Sequence, residues 1–271
     1  MRLRLDFRLL VFGLLVYLAV LVLSFPAERA YAHWKGSGQA PPGFALGGIS
    51  GSVWSGKAAL AVVQGRRLEA VEWRLRPWAL LSGQVALDWR IRLPGDDDSG
   101  YGQGSTAFGL DGSIHFDELE ARLPAQQLAG LAQAGAVRPD GSVSINLRDL
   151  HWDGQSLVSA DGRVVWSGAG VNIFKPLTLG DLVVNLETTD EGIKGLISDG
   201  GGPLIAEGLF TVKADGQYQF SGSFGARGGT EGSQDLENAL RSLGRPGADG
   251  KVRVNRSGTL AALGLGPARR R

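Results

Sequence analysis

Val71-Glu-Trp73-Arg-Leu75-Arg76-Pro77-Trp78-Ala-Leu80-Leu81-Ser-Gly83-Gln-Val85-Ala-Leu87-Asp-Trp89-Arg-Ile91-Arg-Leu93 is the stretch that decides the fold class. Successive side chains of an extended backbone leave opposite faces, so a period of two marks a half-buried strand. Val71, Trp73 and Leu75 share one face against Glu72, Arg74 and Arg76. Val85, Leu87, Trp89, Ile91 and Leu93 do the same against Asp88, Arg90 and Arg92. Between them, Pro77 to Ser82 reads as a short apolar turn of helix that Gly83 stops. The pattern predicts two strands with apolar inner faces and charged outer faces, joined by a tight corner.

The rest of the chain extends this sheet. Upstream, Phe44–Val53 and Lys57–Gln64 read as strands around a Trp54-Ser-Gly56 turn, followed by strands over Arg67–Arg76 and Gln84–Leu93. Downstream, Asp-Gly pairs stand at 111–112, 140–141, 153–154, 161–162, 199–200, 215–216 and 249–250. Asp-Gly suits the positive φ angles of tight hairpin turns. Alternating faces adjoin several of these pairs: Ile114 and Phe116; Val143, Ile145 and Leu147; Leu182, Val184 and Leu186; Tyr218, Phe220 and Phe224; Val252 and Val254. Hairpins in succession make an antiparallel meander. Two helices interrupt it: Pro124–Ala134, with Leu128 and Leu131 on one face, and Ser233–Leu243, with Leu236, Leu240 and Leu243, a cap available from Ser233 and a stop at Gly244. A faint repeat runs through the pattern. Val53-Trp-Ser-Gly56 recurs as Val165-Trp-Ser-Gly168, and Leu68-Glu-Ala-Val-Glu-Trp73 is echoed by Leu147-Arg-Asp-Leu-His-Trp152.

Leu9 to Phe25 carries no charge. As a helix it would be roughly 26 Å long at about 1.5 Å per residue, near the thickness of a bilayer core. Arg2, Arg4 and Arg8 precede it against Asp6 alone, which places that end in the cytoplasm by the positive-inside tendency. Ala30-Tyr-Ala32 has the form of a signal-peptidase site, but the apolar run is longer than a signal core, which favours a retained anchor. The expected organisation is a cytoplasmic lead over 1–8, a transmembrane helix over 9–25, a linker over 26–43, a periplasmic β domain over 44–260 and a flexible basic tail over 261–271. The expected class is mainly β: one N-terminal transmembrane helix, then a curved antiparallel sheet (groove, sandwich or partial barrel) with two short helices. The location is a bacterial inner membrane, single-pass, with the bulk of the chain periplasmic.

The net charge of +1 among 271 residues gives no electrostatic case for nucleic acid. With no cysteine, thiol catalysis and cysteine metal sites are excluded. Forty-two glycines, spread without period, speak for many turns. The three histidines, His33, His115 and His151, lack partners at metal-ligand spacing. Asp96-Asp-Asp98 lacks the alternate-residue spacing of a calcium loop and reads as a solvated loop. Gly200-Gly-Gly202-Pro203 opens no helix and reads as a loose turn rather than a phosphate cradle. No catalytic, metal or cofactor-binding residue is expected, and the chain is not read as an enzyme. Two surfaces remain. Arg66, Arg67, Arg74, Arg76, Arg90 and Arg92 form a basic face, only partly offset by Glu69, Glu72 and Asp88. Leu87, Trp89 and Ile91 form an apolar face that is either ordinary core or a seat for acyl chains or a partner strand.

Taken in order, Gly51-Ser-Val-Trp54-Ser-Gly56, Trp73-Arg-Leu-Arg-Pro77 with Leu80-Leu81-Ser-Gly83, Gly162-Arg-Val-Val-Trp166, Gly201-Gly202-Pro203-Leu204 with Gly208, and the terminal helix ending at Leu243-Gly244 resemble the protein N family of the bacterial type II (general) secretion system. The resemblance runs from Arg2 to about Leu260; the Arg-rich end, Gly264–Arg271, lies outside it. It implies an accessory inner-membrane component of a secretion machine, without catalytic residues. Such a component would work in the periplasm by contact with other secretion proteins, near the outer-membrane secretin or its inner-membrane connector. The Trp-x-Leu-x-Pro corner is also similar, locally, to repeats of AsmA-like envelope proteins, which implies a groove with phospholipid as partner.

Overall fold

The computed structural model describes residues 12–14, 16–17, 20–21, 23–38, 40–63, 65–95, 100–129, 138–172, 175–229 and 232–260. The chain divides into two compact units, Met1–Pro94 and Gly95–Arg271. Both are built from antiparallel strands that pair in chain order, so the protein is mainly β, and each unit holds a single sheet rather than two facing layers. No described helix is long and apolar enough to cross a membrane. The span expected over 9–25 lies partly outside the described residues; those described within it before Ser24, such as Phe12, Tyr17 and Val20, are helical and exposed.

In the first unit, helix α1 (Ala27–Gly36) precedes strands β1 (Phe44–Gly51), β2 (Ser55–Val63), β3 (Arg66–Arg76) and β4 (Gln84–Arg92). Helix α1 occupies residues that read as linker in the sequence. Its signals were Glu28 in the first turn and His33 and Lys35 in the last, complementing the helix dipole. Tyr31 and Trp34 pack against Phe44, with ring centroids 6.5 and 5.5 Å away, and the Leu46 amide donates to Tyr31 Oη at 2.9 Å. Register sets Trp73 opposite Trp89 and Leu75 opposite Leu87. On the other face Arg74 stands opposite Asp88 and Glu72 opposite Arg90. The corner Pro77–Ser82 is a 3-10 turn; Gly83 ends it at φ 73°, its amide donating to the carbonyls of Ala79 and Leu80.

The second unit contains β5 (Tyr101–Gly109), β6 (Ile114–Pro124), helix α2 (Ala125–Ala129), β7 (Arg138–Trp152), β8 (Leu157–Asn172), β9 (Pro176–Thr189), β10 (Gly192–Asp199), β11 (Leu204–Val212), β12 (Gln217–Ala226), helix α3 (Ser233–Leu243) and β13 (Val252–Thr259). Register can be followed across it. Ala121, Ile145, Val164, Val184, Ile197, Gly208, Gly222 and Val254 are successive partners, forming one apolar row on one face. One residue along, the opposite face carries Glu120, Asn146, Arg163, Asn185, Leu196, Leu209, Ser221 and Asn255. Helix α3 covers the C-terminal end of the apolar face, burying Leu236 and Leu240 against Leu204, Ala206 and Val252. Its N-cap is Gly232, not Ser233, and Gly244 follows its last turn. A second cluster joins Ala160, Ile193 and Val212. Of the helix expected over Pro124–Ala134, Ala125–Ala129 is observed after Pro124 closes the strand; residues 130–137 are not described.

Most Asp-Gly pairs sit at turns, and for a double reason. At Asp111, Asp153, Asp215 and Asp249 the carboxylate accepts the amide two residues on, while the following glycine takes φ values of 87°, 93°, 77° and 74°. Two pairs are corrected. Asp140-Gly141 and Asp161-Gly162 lie inside β7 and β8, not at hairpin ends. Gly141 marks a register shift, and a Cβ at Gly162 would stand 2.3 Å from the Asn146 carbonyl. Glycine was required there by close approach of the neighbouring strand, which the dipeptide alone does not distinguish from a turn.

The described non-glycine residues with positive φ are Ala70 (49°) and Asp149 (53°). Each is third in its copy of the repeated hexapeptide, and each sits in a β-bulge between the second and fifth residues, Glu69/Glu72 and Arg148/His151. The bulge keeps Leu68 and Val71, and likewise Leu147 and Leu150, on one face although they are three residues apart. The other repeated element is not repeated as structure: Trp54 lies in a turn, Trp166 within β8. Left-handed backbone disfavours β-branched side chains, so Ala70→Val is expected to cost about 1–3 kcal/mol. Ala70→Gly should stay within about 1 kcal/mol of the parent. Urea unfolding of both variants measures the difference; a bulge of no structural consequence would leave Ala70→Val unchanged.

Candidate interaction surfaces

The motif residues divide into spacers and clamps. Gly51 has φ 90°, and a Cβ there would lie 2.6 Å from the Ser55 carbonyl oxygen. A Cβ on Gly56 would meet the Trp73 ring at 2.5 Å, so the indole lies directly on this glycine. Trp73 Nε1 donates to the Val53 carbonyl at 3.0 Å, and the Leu75 amide donates to the Trp54 carbonyl at 2.7 Å. Gly51, Trp54, Gly56 and Trp73 thus form one assembly tying the β1–β2 turn to β3. Trp166 uses its indole the same way, donating to the Asp140 carbonyl at 2.7 Å where the β7–β8 ladder is interrupted. In both places an N–H that a strand cannot supply comes from a ring.

Gly202 and Pro203 belong to a latch, not to a loose turn. Arg227 donates to Asp199 Oδ1 at 2.7 Å and to the Gly202 carbonyl at 3.0 Å, and its own amide donates to the Pro203 carbonyl at 2.7 Å. Asp199 also accepts the amides of Gly201 and Ala206, at 3.3 and 3.1 Å. A Cβ on Gly202 would lie 2.6 Å from Gly180 Cα. Burial works to raise the Asp199 pKa. The Arg227 bond, the Ala206 amide, the Arg227 charge and the Gly201 amide outweigh it, so the carboxyl titrates below its ordinary value of 3.8. Reading this loop from its glycines alone missed the partner, because Asp199 and Arg227 are far apart in sequence.

The six arginines of the expected basic face are not brought together. Arg66 and Arg67 pair with Val63 and Val62 at one end of β3, away from Arg74 and Arg76. Arg90 and Arg92 stand opposite Glu72 and Glu69, and Arg76 bonds Asp88. This is a field of alternating charge. Leu87, Trp89 and Ile91 share the half-buried face with Trp73 and Leu75. The corner is different. Pro77 begins it, Gly83 closes it, and Trp78 and Leu81 remain 80% and 85% exposed. On the polar face of the second unit, Leu196 and Leu209 stand side by side, exposed, on the floor of an open groove bounded by Glu207, Ser223 and Arg253.

Register also pairs His115 with His151, ring centroids 5.3 Å apart, with His115 Nε2 3.1 Å from Asp117 Oδ1 and 3.6 Å from Asp149 Oδ1. Both histidines are half-buried. Among the described residues no group of acidic and histidine side chains is arranged to hold a metal ion. Residues 96–99 are not described.

Two stability experiments follow from the clamps. Gly56→Ala should cost about 1–3 kcal/mol, because the new methyl meets both the indole and two backbone carbonyls. Asp199→Ala should cost about 1–3 kcal/mol at neutral pH, leaving two amides and a guanidinium without their acceptor. Because the folded pKa of Asp199 is depressed, its contribution is present above the unfolded value of 3.8 and is lost as pH falls through the lower folded one. The gap between parent and Asp199→Ala should therefore narrow on acidification; a gap that does not change with pH would contradict the latch.

Residues 42–255 match the family described as Type II secretion system (T2SS), protein N. A Vibrio cholerae protein named type II secretion system protein N is 27% identical over 256 residues, covering 92% of this chain and 98% of its own length. An Aeromonas hydrophila protein of the same name is 25% identical over 263 residues, covering 91% and 96%. No solved structure matches the chain.

Proposed function

The chain belongs to the protein N family of the type II secretion system, and on that premise we propose that it serves as an anchored accessory subunit whose β units act by protein–protein contact in the periplasm. It is an accessory component of that secretion system, and its partners are other proteins of the system. The observation that carries this is the family match, which begins before β1 and ends within β13, so it takes in nearly the whole strand ladder. The finer reading places the subunit in the bacterial inner membrane with its N-terminus cytoplasmic. It is supported by the charge-free run from Leu9 to Phe25 and by the arginines before it. The partner proposed is the outer-membrane secretin or the inner-membrane connector that reaches it, during export of folded proteins across the outer membrane.

A strain lacking the gene should accumulate a type II exoprotein in the periplasm. The full-length chain should restore export, and a version starting after Phe25 should not. Normal export without the gene would refute a required role, and rescue by the truncated form would refute the anchor. Photo-cross-linking in cells from Leu196 or Leu209 should recover a secretion-system protein; recovery of none would count against contact through that face.

A second reading, a groove that holds phospholipid, is favoured by one observation. The apolar row of the second unit is mostly half-buried, and α3 covers only its C-terminal end. Native mass spectrometry of the purified protein should then retain phospholipid, and a lipid-free spectrum would exclude it.

A further inference from the structure

We propose that the Pro77–Ser82 corner is a second membrane contact: Trp78 and Leu81 enter the interfacial layer of the same bilayer leaflet from which the anchor emerges. The inference rests on the anchored reading above and goes beyond it.

Gly56 pairs with Trp73 and Ser55 with Arg74, so the β1–β2 turn and the β3–β4 corner occupy the same end of the first unit's sheet. The exit from the apolar N-terminal segment is tied to that end as well. The Val53 amide donates to the Phe25 carbonyl at 3.0 Å, and Pro26 forms a bridge with Ser52. From Val53 the path is one residue to Trp54, one hydrogen bond of 2.7 Å to Leu75, and three residues to Trp78. Four residues and the two hydrogen bonds of 3.0 and 2.7 Å bound the distance from Phe25 to Trp78 at roughly 20 Å, against a polar layer that adds on the order of 5–8 Å on each side of the hydrocarbon. If Phe25 ends the span, the corner is on the membrane-facing end of the first unit and within reach of the headgroup layer.

The chemistry of the corner suits that depth. Trp78 is 80%, Leu80 49% and Leu81 85% exposed, on a turn that Pro77 begins and Gly83 closes. An indole with an apolar body and one N–H donor is at home at the membrane–water boundary, and a neighbouring leucine supplies apolar area to bury. The charges beside the corner are compensated: Arg76 is bonded to Asp88, and Arg74 stands opposite it. Apolar insertion, not attraction to anionic lipid, therefore drives the contact, and it should persist in high salt.

The natural chain has no cysteine, so single-cysteine labelling needs no background removal. The full-length protein is reconstituted into vesicles of phosphatidylethanolamine and phosphatidylglycerol and labelled with an environment-sensitive fluorophore. Leu81→Cys reports the corner, Tyr17→Cys the middle of the anchor, and Val63→Cys the opposite end of β2. All three positions are exposed, so the label does not threaten the fold. The expected result is blue-shifted emission at Leu81→Cys, quenched by lipid carrying a nitroxide near the headgroup. Tyr17→Cys should be quenched by mid-chain nitroxide and Val63→Cys by neither, with the Leu81→Cys signal unchanged in high salt. Quenching at Tyr17→Cys with none at Leu81→Cys would overturn the second contact and leave the anchor standing. A blue shift at Leu81→Cys without lipid quenching would overturn it in favour of a protein partner, and quenching abolished by salt would overturn apolar insertion. No quenching at Tyr17→Cys would refute the anchor and this inference with it.

Discussion

Within each unit, every described strand pairs with its neighbours in sequence, and that single constraint shapes the rest. A meander of this kind satisfies its backbone hydrogen bonds within one layer, but it leaves a whole apolar face to be covered by something other than a second sheet. Helix α3 covers part of it, through Leu236 and Leu240. Elsewhere the side chains along the row from Ala121 to Val254 are mostly half-buried. Among the described residues only Ile193 and Val252 are large side chains with almost no exposure, and the remaining buried hydrophobic positions are dominated by alanine. Without a thick core, the structure depends on its ladders and on the groups that hold the ladders in register.

Register matters because a slip of one residue would carry every apolar side chain to the wrong face. The long strands β7 and β8, at 15 and 16 residues, cannot keep strict alternation over that length. They reset their phase at bulges instead. Carbonyls freed at a bulge or a turn are not left bare: Trp166 supplies an N–H to Asp140 at the first and Trp73 one to Val53 at the second. The same logic explains why glycines crowd around these rings. Gly56 lies under Trp73, and Gly141 permits the approach of the Ser167 and Gly168 carbonyls. The residues that carry the family resemblance are those that let a one-layer sheet bend and stay in register.

The period of two in β3 and β4 made the antiparallel pair, its corner and the class of the fold readable directly. What escaped was phase. Leu68, Val71 and Trp73 are apolar at spacings of three and two, and so are Leu147, Leu150 and Trp152. In an extended chain an odd spacing between residues on one face means an inserted residue, so both bulges were written in the sequence. The Asp-Gly pairs read as turns because their local chemistry is that of a turn. Inside β8 only the neighbouring strand reveals that Gly162 is there for clearance. Helix α1 escaped for a different reason: its packing partners, Phe44 and the Leu46 amide, lie beyond the glycines and prolines that follow it. The Asp199–Arg227 latch is separated too widely for any local pattern to reach.

That missed helix bears on whether the N-terminal segment is kept. The Ala30-Tyr-Ala32 sequence, which has the form of a cleavage site, lies inside α1. Tyr31 accepts the Leu46 amide and packs on Phe44, and Phe25 accepts the Val53 amide just beyond the end of β1. Strand β1 begins the ladder of the first unit, where an uncovered edge is a template for unwanted pairing. Cutting after Ala32 would remove Tyr31 and Phe25 together, freeing an amide in the strand and the one beside the turn. The first unit thus uses residues that a signal peptide would discard. The anchor proposed above would keep them, Tyr31 serving the edge strand β1 and Phe25 the turn beside it.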